Sequence, residues 1–295
     1  HVPMTAESQH PAGTDSSLGD SPAGPSSPPG EPHLRVTGVV KHFGGVEALT
    51  GVDFDVRRGE VMGLVGDNGA GKSTLMKILA GAHTADAGQF HIDAQKVTIS
   101  SPHEAAELGI QIVYQDLALC ENLDVTSNLF LGNEPVLSGW ARFLPERLRP
   151  LDDLNMELEA LAAIDRLDVR TLKSVRAKVG VLSGGQRQAV AIARAVGTES
   201  SILLLDEPTA ALGVAQTAQV LNAVRRLRDS DHAIVYISHN LGDVFAITDR
   251  ITVLRQGTNV GVFETSQTNN DEIVTAITSG VELGNGYGNE YGSRD

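Results

Sequence analysis

The stretch that most constrains this chain is Gly59 to Thr74, Gly-Glu-Val-Met-Gly-Leu-Val-Gly-Asp-Asn-Gly-Ala-Gly-Lys-Ser-Thr. Its apolar run, Val61 to Val65, predicts a buried strand. The glycines predict a turn, and Lys72 to Ala80 predicts a helix. Gly66, Gly71, Lys72 and Ser73 stand at the fixed places of G-x-x-x-x-G-K-S. Glycines let backbone N–H groups turn inward on an anion, and the helix aims its positive N-terminus at the same point. Chance produces these four positions in roughly one chain in a hundred of this length, and the strand–turn–helix setting makes accident rarer. Gly66, Asp67, Asn68, Gly69, Ala70, Gly71, Lys72, Ser73 and Thr74 are therefore expected to hold the phosphates of a nucleoside triphosphate. Lys72 would reach the β- and γ-phosphates, and the Ser73 hydroxyl would ligate Mg²⁺.

Other segments place chemistry at the ends of strands. Ile202-Leu203-Leu204-Leu205-Asp206-Glu207 is a second unbroken apolar run, ending in two carboxylates. Such runs are strands of a parallel sheet, and ligands bind beyond their carboxyl ends. Asp206 suits the Mg²⁺ hydration shell, and Glu207 suits polarising a water for in-line attack. Alone, the pair is as readily a solvated acidic turn. Ala233 to Ile237 predicts another buried strand, with His239 just past its end, placed to touch a γ-phosphate. Ile110 to Tyr114 predicts a strand ending in Gln115, which could orient the Mg²⁺ ion or a water. Leu182-Ser183-Gly184-Gly185-Gln186 opens a helix that Ser183 would cap, a second anion-binding terminus or an ordinary capped helix. Phe43 stands on a loop before Gly44-Gly45, where it could stack on a base or simply pack.

The remaining pattern fills in the frame. Leu34 to Lys41 predicts a strand, and Val52, Phe54 and Val56 alternate with Asp53, Asp55 and Arg57 as in a half-buried strand. Gln89 to Ile92 and Lys96 to Ile99 predict short strands, and Pro102 to Leu108 a short helix. Asn122 to Leu131 and Glu146 to Leu167 read as helices, the second from Leu154, Leu158, Leu161 and Ile164. Val214 to Arg228 predicts an exposed helix, Ile251 to Leu254 and Asn259 to Phe263 a hairpin, and Ile273 to Thr278 a last helix. The Ser-, Pro- and Gly-rich segment before Pro32 predicts a disordered arm, and Gly284 to Asp295 an unstructured tail.

Composition narrows the partners. The net charge of −14 with no basic stripe argues against nucleic acid. One cysteine, Cys120, allows no disulfide within the chain and fits a reducing compartment. No apolar window is long enough to span a membrane, and the N-terminus has no secretory pattern.

Taken in order, GDNGAGKST, the Gln115 loop, LSGGQ, ILLLDEP and His239 resemble the ATP-binding subunit of an ABC transporter, over about Leu34 to Gly280. LSGGQ is the specific part, because other phosphate-loop families lack it. Val-Tyr-Gln-Asp-Leu-Ala-Leu-Cys-Glu-Asn-Leu-Asp-Val and Asp-Glu-Pro-Thr-Ala-Ala-Leu-Gly resemble the bacterial importers of simple sugars. The resemblance implies an α/β fold: a P-loop NTPase domain of ABC type, with a mostly parallel central sheet flanked by helices. An antiparallel β subdomain and an inserted helical subdomain, about 116–190, complete a domain spanning 33–280, with a disordered arm at 1–32 and a flexible tail at 281–295.

It also implies ATP and Mg²⁺ as cofactors, with Ser73, Gln115 and Asp206 at the metal. Glu207 would be the general base, with His239 and Gln115 beside it, and Phe43 would stack on adenine. Leu182, Ser183, Gly184, Gly185 and Gln186 would close over the ATP of a second protomer, a copy of this chain or a sister ATPase. The remaining partners would be a transmembrane permease and a sugar-binding protein outside the membrane, with this chain peripheral on the cytoplasmic face. Two departures from the family pattern stand out: many sugar-type members carry two such domains in one chain, and Gly213 stands where many ABC proteins have Asp. An exporter ATPase, or an ABC ATPase working on DNA or ribosomes, remains the alternative.

Overall fold

A computed structural model describes residues 31–137, 143, 150–167, 172–197 and 200–281. The expected arm up to residue 30, the tail from 282 and the expected helical stretch 146–149 lie outside the described residues.

The central sheet follows from the unbroken apolar runs. Strand β3 (Val61–Val65) is buried along its whole length. It pairs in parallel with β8 (Ala233–Ile237) on one side and β9 (Arg250–Arg255) on the other. Strand β7 (Ile202–Asp206) joins β8, and β6 (Ile110–Val113) joins β7, again in parallel. Strand β10 (Thr258–Glu264) closes the far edge antiparallel to β9, giving the order β10-β9-β3-β8-β7-β6. Met62, Leu64, Ile202, Leu204, Val235 and Ile237 face one hydrophobic cluster, whereas Val61, Val65, Leu203, Leu205, Ile234 and Tyr236 face another. With a core on each face, both phases of the strand period must be apolar, which is why these strands do not alternate in sequence.

The first cluster is completed by helix α1 (Lys72–Leu79), helix α2 (Pro102–Glu107) and a second sheet. That sheet is antiparallel, with β1 (Pro32–Phe43) between β2 (Val46–Arg57) and β4 (Ala87–Ile92), and β5 (Gln95–Val97) beyond β4. The second cluster takes α3 (Val125–Phe130), α4 (Asp153–Arg166), α5 (Gly184–Val196), α6 (Val214–Asp229), α7 (Leu241–Ile247) and α8 (Asn270–Ser279). Helices α3, α4 and α5 lie in sequence between β6 and β7.

Several elements depart from the sequence pattern. Phe43 is not on a loop: it ends β1 and pairs with Val46 across a two-residue turn. Asp55 faces the interior, because Arg250 on β9 meets it there at 3.0 Å and meets Glu60 at 3.2 Å. A buried charge is tolerated only when paired, and here one guanidinium serves two carboxylates. Helix α6 is not exposed overall: Val220, Leu221, Ala223, Val224 and Leu227 are buried. In α4 the buried side is Met156, Ala160 and Ile164, while Leu154, Leu158 and Leu161 are 70%, 58% and 49% exposed. Helix α7, after His239, carries too short an apolar pattern to be read from sequence.

A second buried polar cluster ties the two sheets together. His33, 1% exposed at the start of β1, meets Asp93 through Nδ1 at 2.7 Å and the Ser201 hydroxyl through Nε2 at 2.8 Å. Arg58 donates to the other oxygen of Asp93 at 3.0 Å. These contacts join β1 and the β4–β5 turn to the entrance of β7.

Candidate functional site

Because β3, β6, β7 and β8 run parallel, their carboxyl ends share one edge of the sheet. That edge receives the phosphate loop after β3, Gln115 after β6, Asp206-Glu207 at β7 and His239 after β8. Asp206 lies opposite Ile237 in the register, and Ile237 lies opposite Leu64.

The loop between β3 and α1 has the expected form. Gly71 caps α1 with φ of 104°, a conformation that glycine adopts without the steric cost other residues incur. Asp67, Asn68, Gly69 and Ser73 are exposed, Ala70 is buried and Lys72 is half-buried. The Lys72 ammonium donates to the carbonyls of Gly66 at 2.6 Å and Asp67 at 3.0 Å, so its charge sits over the mouth of the loop. Burial pushes its pKa down, while Glu207, Asp67 and Asp206 pull it back up. Burial raises the Asp206 carboxyl, Glu207 raises it further, and Lys72 and Lys77 oppose the rise. These couplings put Lys72, Asp206 and Glu207 in a single electrostatic neighbourhood, with Lys77 and Asp67 at its margin.

Glu207 is held in an unusual way. Its φ is 50°, the left-handed region, which costs a non-glycine residue about 1–2 kcal/mol. Its N–H donates to the Ile237 carbonyl at 3.0 Å, fixing the turn against β8. Its Oε2 accepts from His239 Nδ1 at 2.8 Å and from the His239 N–H at 3.4 Å. The Glu207 side chain is 15% exposed and that of His239 77% exposed. A carboxylate only accepts, so the proton of this contact sits on Nδ1, and Nε2 is on the exposed side of the ring. A carboxylate so oriented can take a proton from water, and the imidazole can hold it in line.

The LSGGQ turn has the geometry its sequence predicts. Ser183 caps α5: its hydroxyl accepts from the Gln186 N–H at 3.3 Å, and the Gln186 side chain accepts from the Ser183 N–H at 2.9 Å. Leu182 and Gly185 are buried, while Ser183 and Gly184 are exposed at the positive end of the helix. Leu212 and Gln216 pack against the two glycines so closely that a side chain at Gly184 would come within 2.9 Å of Leu212. Arg194, farther along α5, donates to the carbonyls of Leu117 and Ala118 at 3.1 and 3.0 Å, fastening the loop that carries Gln115 to this helix. Gln115 itself is exposed, two residues beyond the end of β6 at Val113. Phe43 is 43% exposed at the end of β1, with the His83 ring edge-on at 5.3 Å and Lys41 at 5.4 Å from its centroid. Lys41, His83 and Arg194 carried no motif. They emerge only from spatial neighbourhood.

Comparison with known proteins agrees with this geometry. Residues 49–210 match the family model described as ABC transporter. The fructose import ATP-binding protein FrcA of Rhizobium meliloti is 40% identical over 252 residues, covering 85% of this chain and 96% of that protein. The ribose import ATP-binding protein RbsA of Chromobacterium violaceum is 41% identical over 86% of this chain, which spans only 48% of that longer protein. A crystal structure of the ADP conformation of an ATP-binding cassette of an ABC transporter superposes with a TM-score of 0.69 at 28% identity, covering 84% of this chain and 95% of that one. The chain belongs to the ABC transporter family. It is an ATP-binding cassette of that family, an ATPase by class.

Proposed function

We propose that this chain hydrolyses ATP to drive import of a monosaccharide through a separate membrane permease. The observation that carries the ATPase assignment is the convergence of Lys72, Asp206, Glu207 and His239 on one sheet edge. The import direction and the sugar class rest on the similar fructose and ribose import proteins.

In this reading the N–H groups of Gly66 to Thr74 cradle the phosphates, and Lys72 leaves its loop carbonyls for the β- and γ-phosphate oxygens. Phe43 offers its open face to adenine. Among the described residues no cluster of three or more His, Cys, Asp or Glu could hold a metal by itself. The Ser73 hydroxyl, the Asp206 carboxylate and the Gln115 amide are oxygen donors, the set that suits Mg²⁺ shared with phosphates. Bound there, Mg²⁺ would offset phosphate charge. Glu207 accepts the proton of the attacking water, and His239 keeps its carboxylate in place. Most of the rate enhancement comes from charges already fixed around the γ-phosphate.

The exposed Ser183-Gly184 end of α5 offers an anion the positive terminus of a helix. A second protomer, a copy or a sister ATPase, would present its ATP there. The exposed Leu154, Leu158 and Leu161 stripe on α4 suits an apolar partner surface, and we assign it to the permease. A sugar-binding protein would complete the system on the other side of the membrane. Among the described residues no helix is long and apolar enough to cross a membrane. The likeness to import ATP-binding proteins supports peripheral attachment on the cytoplasmic face. The ATPase domain would span 33–280, with 116–190 as its helical part. Glu207→Gln should abolish turnover while ATP still binds. Undiminished turnover would remove Glu207 from its role, and failure of the chain to copurify with any membrane protein would count against transport.

A further inference from the structure

The loop that follows Glu207 and the helix that follows His239 are joined beneath the site by a buried polar chain. Thr209, 8% exposed, donates its hydroxyl to Asp243 Oδ2 at 2.7 Å. The Thr209 oxygen is also 3.1 Å from the hydroxyl of Tyr236, which is fully buried on β8. Threonine has one hydroxyl proton, and Asp243 takes it. Tyr236 must therefore be the donor to Thr209, and the chain has one direction, Tyr236 to Thr209 to Asp243. Burial pushes the Tyr236 phenol well above its ordinary value, so it remains a donor.

The position of this chain gives it consequence. Thr209 lies two residues after Glu207, in a turn whose N–H groups bond back on themselves: Ala210 to Glu207 and Leu212 to Thr209. Leu212, three residues on, presses on Gly184 of the LSGGQ turn. Asp243 lies in the first turn of α7, four residues after His239. Glu207 occupies a left-handed backbone that relaxes unless its surroundings hold it. The Ile237 carbonyl holds the Glu207 N–H and the Glu207–His239 contact is exposed on the histidine side, so Thr209 and Asp243 form the buried side-chain tie between the two segments.

We infer that Thr209 and Asp243 are positioning residues that lock the Glu207 turn to the His239 helix, so that the two move as one unit with the loop against LSGGQ. This rests on the catalytic reading of Glu207. The hydroxyl bond, not the bulk, is the operative feature, because a residue of threonine's shape without the hydroxyl fills the same space.

Thr209→Val removes the bond and keeps the shape, and Thr209→Ser restores it. In the full chain, basal turnover of Thr209→Val should fall at least tenfold while KM for ATP stays within about threefold, since the phosphate loop is untouched. Thr209→Ser should recover most of the turnover. Asp243→Leu, which offers no acceptor to the Thr209 hydroxyl, should fall in the same way, and Tyr236→Phe should lose much less, because Tyr236 supplies only the outer link. Thermal melting and ATP affinity establish that each variant is folded. Full turnover in a folded Thr209→Val, or a Thr209→Ser no better than Thr209→Val, would overturn the inference. So would a rise in KM with turnover unchanged. Glu207→Gln is run beside them: if it keeps turnover, the catalytic reading fails, and if it is dead while Thr209→Val is fully active, this inference alone fails.

Discussion

Replacing Gly71 by alanine tests the phosphate loop where the structure leaves least room. A methyl group there would stand 2.6 Å from Leu49 Cδ2 and 2.9 Å from the Ala48 carbonyl oxygen. Leu49 is fully buried and the carbonyl belongs to β2, so neither can swing aside. The backbone, at φ of 104°, adds its own cost. Left-handed backbone costs about 1–2 kcal/mol and overpacking about 1–3 kcal/mol, together about 2–5 kcal/mol. The energy must appear in one of two places. If the loop keeps its shape, stability falls, and Tm drops by about 4–20 °C for a domain of this size. If the loop relaxes, the N–H groups leave the phosphates, and ATP binding weakens by about 30-fold to several thousand-fold. Calorimetric melting and ATP titration on one sample capture both. Gly69→Ala is the internal comparison: at φ of 82° with nothing within 4 Å of the new methyl group, it carries only the backbone part and should be milder. A Gly71→Ala protein with unchanged Tm and unchanged affinity would refute the packing argument.

Two further outcomes follow from buried charges. Arg250→Ala strips Asp55 and Glu60 of their shared partner, and leaving buried carboxylates unpaired costs about 3–5 kcal/mol, readable by urea denaturation. Burial already pushes the Glu60 carboxyl up, and Arg250 is the chief influence pulling it back, so its proton uptake should move to higher pH in the variant. His33 gives a pH dependence of opposite origin. Burial lowers its pKa from the ordinary 6.5, outweighing the hydrogen bond that its Nδ1 donates to Asp93. The unfolded chain therefore takes the proton first as pH falls. The contribution of His33 is complete above 6.5 and is lost as pH drops from there through the folded value. His33→Gln should flatten the fall in Tm between neutral and mildly acid pH, and an unchanged slope would show that His33 is not the group responsible.

The parts of this site that were legible in sequence are those where backbone chemistry restricts the residue. The loop at Gly66 to Thr74, the capped turn at Ser183 and the apolar runs of β3, β7 and β8 each leave few alternatives, and each was found in its expected form. Phe43 was misplaced because a tight turn at Gly44-Gly45 can close a hairpin as well as open a loop. Asp55 looked solvent-facing because period-two alternation is blind to a partner as distant in sequence as Arg250. The leucines of α4 illustrate the opposite failure. Apolar spacing identifies a helix but not which of its faces finds a partner within the chain, and here Met156, Ala160 and Ile164 take the core. Thr209, Tyr236 and Asp243 were invisible because a buried network has no spacing rule: it exists only after β7, β8 and α7 are brought together.

The central claim is that each ATP site needs two protomers, with Lys72 from one and Ser183 from the other. Mixing two defective proteins tests it directly. Lys72→Ala and Ser183→Arg should each lack turnover alone, because every site in either homodimer carries the lesion. Mixed, the heterodimer holds one site built from an intact phosphate loop and an intact LSGGQ turn, and turnover should return. If the mixture stays as inactive as its parts while wild-type protein keeps full turnover per chain at high dilution, the site is complete within one protomer and the account is wrong.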